Sequence, residues 1–210
     1  MINKFSLNSY WKFALDMQDQ GKAKEWQKSM PEDVSDIYVP ACWNDCDDEW
    51  YHYEGVAWYF KKFIFKENKA VKKNVLFFFG VNYSCEIWLN GQFAGSHVGG
   101  FTPFEIDVTE LLKQNEENLL TVRVDNTMTK TRVPPIGVDW FNFGGIFRDV
   151  CIYGTGESRF EDIYVTTRIN GDISIKVKLE DYSANNSGGI RVRIGDRDSV
   201  APIIEKDEAI

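Results

Sequence analysis

A chain of 210 residues that is 43% apolar and 15% aromatic has the material for a packed core, enough for one large β domain or for one and a half small ones, and is not disordered. Its formal charge of −8 argues against nucleic acid or an anionic membrane as partner, since either polyanion would be repelled, and suits a neutral ligand better. The first twenty residues hold no apolar h-region and no stretch approaches a membrane span, so the expectation is cytoplasmic residence, or periplasmic or secreted if a signal was removed.

The recurring signal along the chain is period-two alternation broken by turn residues, which is the pattern of half-buried strands. Helical periodicity is nearly absent, so the fold class is all-β. Cys42 and Cys46 flank Trp43-Asn44-Asp45, where a disulfide would need an oxidising compartment, and they are read as thiols. Strands are predicted at Val56 to Phe65, Asn74 to Val81, and Ser84 to Leu89 paired with Gln92 to His97. Asn90-Gly91 between the last two favours the positive φ angles of a type I′ hairpin. Cys85 and Cys151 lie in apolar runs and read as small buried hydrophobes. His52 and His97 are not spaced with the cysteines as a zinc set, so no metal is expected.

Gly99-Gly100 precedes a proline and a further strand instead of a helix, which makes it a backbone device and not a phosphate cradle; no cofactor is expected. In the strand Phe104 to Val108, Glu105 and Asp107 form the wet face. Thr109-Glu110-Leu111-Leu112 reads as one helical turn capped by Thr109. Asn115-Glu116 lies in a charged, solvated turn. In the strand Asn118 to Asp125, Leu120, Val122 and Val124 point to the core and Thr121, Arg123 and Asp125 to the other side, so one face is core. The interval Asn126 to Asn142 carries Pro134-Pro135 and Gly137, which exclude ladder and helix alike. A loop of that length in a compact domain is usually functional or disordered.

Asp139-Trp140-Phe141-Asn142-Phe143-Gly144-Gly145-Ile146-Phe147-Arg148-Asp149-Val150 is the most informative run. Its aromatics ask for a core, yet Asp139 and Asn142 belong there only if they hydrogen-bond something specific. A strand is predicted from Ile146 to Tyr153, with Arg148 and Asp149 as a structural ion pair across strands or to the next domain. Gly154 to Ser158 reads as a boundary, giving domains 1–155 and 156–210. Alternation resumes in Phe160 to Ile169, Ile173 to Leu179 and Ile190 to Ile194, with Asn170-Gly171 as a second tight hairpin turn. The 55 residues from Gly156 are about half of what an immunoglobulin-like sandwich needs. A sheet face left uncovered in this way predicts self-association of residues 156–210 into a homo-oligomer.

Val39-Pro40, Trp43-Asn44-Asp45, Tyr53-Glu54-Gly55, Trp58-Tyr59, the block from His97 to Thr109 and the run from Asp139 to Val150 together resemble, in order, the N-terminal region of glycoside hydrolase family 2, the β-galactosidase and β-glucuronidase family. That resemblance implies a jelly-roll (galactose-binding-like) β-sandwich followed by a partial immunoglobulin-like β-sandwich. It also implies a catalytic barrel, absent from this chain, that holds both catalytic glutamates, so no catalytic residue is assigned here. The family's aspartate that contacts sugar hydroxyls falls on Asp139. A carboxylate accepts two adjacent hydroxyl donors of a pyranose, whereas the structural alternative is a cap for the Pro134-Pro135 loop.

Trp140 is a candidate platform for a sugar C–H face, although Trp140 and Phe141 in an alternating strand place at least one ring in the core. Asn142 either holds the loop or reaches ligand. The implied partner is a β-glycoside. Alternatives are a free-standing carbohydrate-binding module or lectin, and a purely structural assembly domain.

Overall fold

The computed structural model describes residues 4–66, 71–137, 139–156, 158–180 and 189–202. The chain divides into two compact units, Met1–Thr155 and Gly156–Ile210. In the first unit the strands are β1 (Lys4–Ser6), β2 (Ser9–Leu15), β3 (Ser35–Val39), β4 (Val56–Ile64), β5 (Lys73–Phe78), β6 (Ser84–Leu89), β7 (Gln92–Val98), β8 (Phe104–Asp107), β9 (Glu117–Asp125) and β10 (Val150–Thr155). They form two antiparallel sheets, one of order β1-β10-β5-β8 and the other of order β3-β2-β4-β9-β6-β7. From β4 onward the chain crosses between the sheets at β5, β6, β8, β9 and β10, so the turns between sheets gather at the ends of a sandwich.

Alternation decides which side chains fill the space between the sheets. Trp11, Phe13, Tyr59, Leu76, Phe78, Ile87, Leu120, Val122 and Ile152 form one buried cluster. Burying each of these large side chains contributes roughly 1.5–3 kcal/mol. The opposite face of β4 and β9 is covered as well, which corrects the one-sided reading of Asn118 to Asp125. Trp58, Phe60 and Trp88 make a second cluster against Trp26, Met30 and Val34, which come from the segment between β2 and β3. Thr121 on that face is fully buried. Asp16 organises the covering segment: its carboxylate accepts from the Gln20 and Gly21 amides at 2.8 Å each and from the Trp58 indole at 3.0 Å.

At the β6–β7 turn, Asn90 (φ 55°) and Gly91 (φ 78°) both adopt the left-handed angles of a type I′ turn. The Asn90 side chain also donates to Leu111 O and Asn118 Oδ1 and accepts from the Leu119 amide, tying the hairpin tip to the start of β9. The single helical turn after β8 is present, with the Leu112 amide donating to Val108 O at 2.9 Å. Its cap is Asp107 instead of Thr109. Asp107 Oδ1 accepts from the Thr109 amide and hydroxyl, and Thr109 Oγ1 accepts from the Asn74 amide. The carboxylate wins because it is the stronger acceptor for a free amide. Glu116 is exposed in the turn before β9.

The last strand of the first unit starts later than its sequence suggests. Ile146 to Asp149 stays outside the ladder, because this stretch bonds to the chain after β3: the Ala41 amide donates to Ile146 O and the Trp43 amide to Gly144 O, at 3.0 Å each. Gly145 at φ 131° makes the bend that allows it. Ile146 itself is fully buried.

The second unit holds two antiparallel hairpins, β11 (Arg159–Thr167) with β12 (Ile173–Glu180) and β13 (Gly189–Ile194) with β14 (Arg197–Pro202). The β11–β12 connection is longer than a two-residue turn. The Arg168 amide donates to Asp172 O, the Gly171 amide to Arg168 O, and Gly171 alone of the Asn170-Gly171 pair has positive φ, which is a three-residue loop ending in a glycine bulge.

Candidate functional site

Residues 127–137 and 139–141 lie in a surface loop of the Ω type, whose two ends meet. Two asparagines close its neck. Asn126 is fully buried, donates through Nδ2 to Asn142 O at 2.7 Å and accepts at Oδ1 from the Gly55 amide at 2.8 Å. In return Asn142 Nδ2 donates to Asn126 O, and its Oδ1 accepts from Asn82 Nδ2 at 3.0 Å. Asn82 also donates to Phe143 O at 2.6 Å and exchanges two backbone bonds with Gly145. Such a network leaves the buried amides satisfied, whereas removing one partner would cost about 1–3 kcal/mol for each group orphaned.

Beyond the neck, Gly144 and Gly145 lie against the chain after β3. Asn44 Oδ1 accepts from the Gly144 amide at 2.8 Å, while its Nδ2 donates to the carbonyls of Trp50, Tyr51 and Tyr53, each at 3.0 Å. One buried side chain therefore holds residues 50–53 beside the end of the loop. There Tyr51 meets Phe141 at 5.4 Å and Phe143 at 5.6 Å between ring centroids, and His52 meets Phe141 at 5.6 Å. A cleft of about 510 Å³ lined by Asn44, Asp45, Cys46, Asp47, Asp48 and Tyr51 opens next to this aromatic cluster. Burial, with help from Asp45, pushes the thiol of Cys46 in this cleft upward, and nearby Cys42 up to about 11, which disfavours the thiolate in both.

The residues singled out from sequence separate into two groups. Asp139 and Trp140 are exposed on the loop, and Trp140 keeps 61% of its surface. Among the described residues the Asp139 carboxylate has no hydrogen-bond partner. Asn142 is committed to the neck. The expectation that Trp140 or Phe141 enters the core is overturned, since Phe141 is 58% exposed and the segment is not a strand, so alternation has no force there. Nor does Arg148 or Asp149 take part in an ion pair among the described residues. Arg148 donates to Phe101 O and covers the Phe147 ring, and Asp149 accepts from Asn8. Both lie outside the ladder, and the two have different neighbours.

Sequence reasoning passed over Asn82, Asn126 and Arg132. Arg132 donates to Asp125 O at 3.0 Å and to Ser84 Oγ and Asp125 Oδ2 at 3.1 Å, with its guanidinium 4.7 Å above the Tyr83 ring. For Asn82 and Asn126 the available signal was an amide closing an apolar run, in Val81-Asn82 and Val124-Asp125-Asn126, where a buried polar group must have partners.

The model of the glycosyl hydrolases family 2 sugar binding domain matches residues 5–156. A β-glucuronidase of Paenibacillus borealis is 27% identical over 91% of this chain and 36% of its own length. A β-galactosidase of Thermoanaerobacter pseudethanolicus is 42% identical over 53% of this chain and 15% of its own length. Among solved structures, a β-glucuronidase of an uncultured Clostridium superposes with a TM-score of 0.78 at 34% identity, over 85% of this chain and 34% of that one. A Ruminococcus gnavus β-glucuronidase in complex with D-glucuronic acid gives 0.79 at 25% identity with the same coverage. The chain thus spans about a third or less of the length of these relatives. With a two-sheet sandwich, a closing run seated on Trp43 and Asn44, and the family model matched from end to end of that sandwich, the chain belongs to glycosyl hydrolase family 2.

Proposed function

We propose that this chain is the non-catalytic N-terminal region of a retaining β-glycosidase of β-glucuronidase or β-galactosidase type. It shapes the mouth of an active site whose chemistry belongs to a barrel domain. The observation that carries this reading is Asp139: an exposed carboxylate, without a partner among the described residues, on a loop whose neck is fixed by buried amides. A preorganised acceptor of this kind holds sugar hydroxyls without spending binding energy on ordering itself. Trp140, beside it and exposed, offers an apolar plane to a C–H face. Asn142 serves the same site by holding the neck.

Retaining hydrolysis needs two carboxyl groups about 5–5.5 Å apart, one as acid/base and one as nucleophile, and on this reading both lie in the barrel. The 210-residue chain is therefore expected to be inert toward chromogenic β-glucuronides and β-galactosides. Turnover that copurifies with the chain at constant specific activity would overturn the reading. The exposed rings of Trp140 and Phe141 favour a second reading, a free-standing carbohydrate-binding module. A glycan array separates the two, because a module binds polysaccharide unaided and a barrel-dependent domain leaves the array blank.

The second unit is proposed to begin an immunoglobulin-like sandwich. Its β11–β12 hairpin places Ile163, Val165, Ile175 and Val177 in two cross-strand pairs, and Ile163 and Val165 are exposed. Self-association through residues 156–210 follows if that face is covered by a second copy. Light scattering should then give a mass above 24.3 kDa that falls to the monomer when Val165 is replaced by lysine. A monomer at every concentration would refute it.

A further inference from the structure

We infer that Arg132 is a positioning residue for the Asp139 loop, acting on substrate only through that loop. Among the described residues of 127–141, Arg132 is the one whose side chain hydrogen-bonds to the sandwich. It does so at three points, two on Asp125 at the end of β9 and one on Ser84 at the start of β6. Asp125 receives the loop at both oxygens, since Oδ1 accepts from the Thr127 amide at 2.8 Å while Oδ2 takes Arg132. The guanidinium also stacks on Tyr83, and the Tyr83 hydroxyl accepts from the Val133 amide at 3.2 Å. Arg132 is 16% exposed and Asp125 21%, so this pair is largely shielded from solvent. A surface pair contributes little. A forked, stacked and half-buried one fixes geometry, and lysine does not replace it.

The neck fixes where the loop begins and ends, and Phe141 packs on Tyr51 and His52 at its far end. Arg132 ties the near end to the sandwich, and through it sets where Asp139 stands. The inference rests on the reading that Asp139 accepts sugar hydroxyls. Its consequence is kinetic: loss of Arg132 should raise KM without changing kcat, because a contact made equally to bound substrate and transition state affects binding alone.

The test uses Arg132→Ala and Arg132→Lys, each with and without Asp139→Asn. In the 210-residue chain, amide hydrogen exchange across 127–141 should quicken at least tenfold while β4 and β9 keep their protection. In the barrel-containing enzyme, Arg132→Ala should raise KM about tenfold with kcat within twofold, by the uniform-binding logic above. Arg132→Lys should fall in between, and it carries the test if the alanine variant does not fold. On top of Asp139→Asn, the Arg132 replacement should add almost nothing to KM. Unchanged exchange in the loop, or KM effects that simply multiply, would overturn the positioning role. Normal kinetics for Asp139→Asn by itself would instead remove the sugar contact, and the positioning role with it.

Discussion

Asp139→Asn is expected to lower kcat/KM of the barrel-containing enzyme roughly ten- to hundredfold, the equivalent of about 1.5–3 kcal/mol for a hydrogen bond to a charged group. The substitution keeps the shape of the side chain. It removes the charge and turns one of two acceptors into a donor, so a pyranose hydroxyl that gave its proton to the carboxylate now faces an N–H. Folding should not register the change: Asp139 is exposed and has no hydrogen-bond partner among the described residues. The melting temperature of the 210-residue chain should therefore stay within the range of an ordinary surface substitution, about ±0.5 kcal/mol in stability. Intact kcat/KM, or a domain that unfolds, would make Asp139 a loop cap and end the proposed sugar contact.

The largest effect on stability is expected from Gly144→Ala. A Cβ built at Gly144 lies 2.2 Å from Trp43 Cζ2, 2.4 Å from Trp43 Cη2 and 2.6 Å from Asn126 Nδ2. Trp43 is fully buried and packs against Phe13 and Tyr53, so its ring has no empty space to move into. Asn126 is fixed by its bonds to Gly55 and Asn142. The methyl must displace either the core or the neck of the loop. Overpacking of this severity costs about 3 kcal/mol or more, which for a unit of this size lowers Tm by roughly 6–12 °C. Gly156→Ala is the control, since among the described residues its Cβ would meet just Ser158 O, at 4.0 Å. Calorimetry of the two variants checks the difference. A Gly144→Ala protein that melts like the parent would mean that the closing run does not sit on Trp43.

Strands β4, β6, β7 and β9 could be placed from sequence because alternation is a local property and a sandwich buries alternate side chains. The Asn90-Gly91 turn was equally local. So was the resemblance carried by the closing run, whose residues lie side by side in the chain. Strands β1, β2 and β3 went unmarked, although Trp11 and Phe13 alternate with Tyr10 and Lys12. β1 and β3 are short, and the polar stretch that covers the second core separates β2 from β3. That cover also explains why β9 looked one-sided: Thr121 reads as polar, yet it pairs with Phe60 and Trp88, whose rings are packed under Trp26, Met30 and Val34, and is buried with them.

The site divides in the same way. The loop could be recognised in the chain, since a proline-rich interval ending in an acidic and aromatic run is a local pattern, and Asp139 was named within it by the family resemblance. The bonds that hold it could not, because they join Asn82 to Asn142 across 60 residues, Asn44 to Gly144 across 100 and Ser84 to Arg132 across 48. No spacing rule links such positions. They meet because two sheets pack face to face, and desolvation at the meeting point leaves each amide with a choice between its protein partner and none.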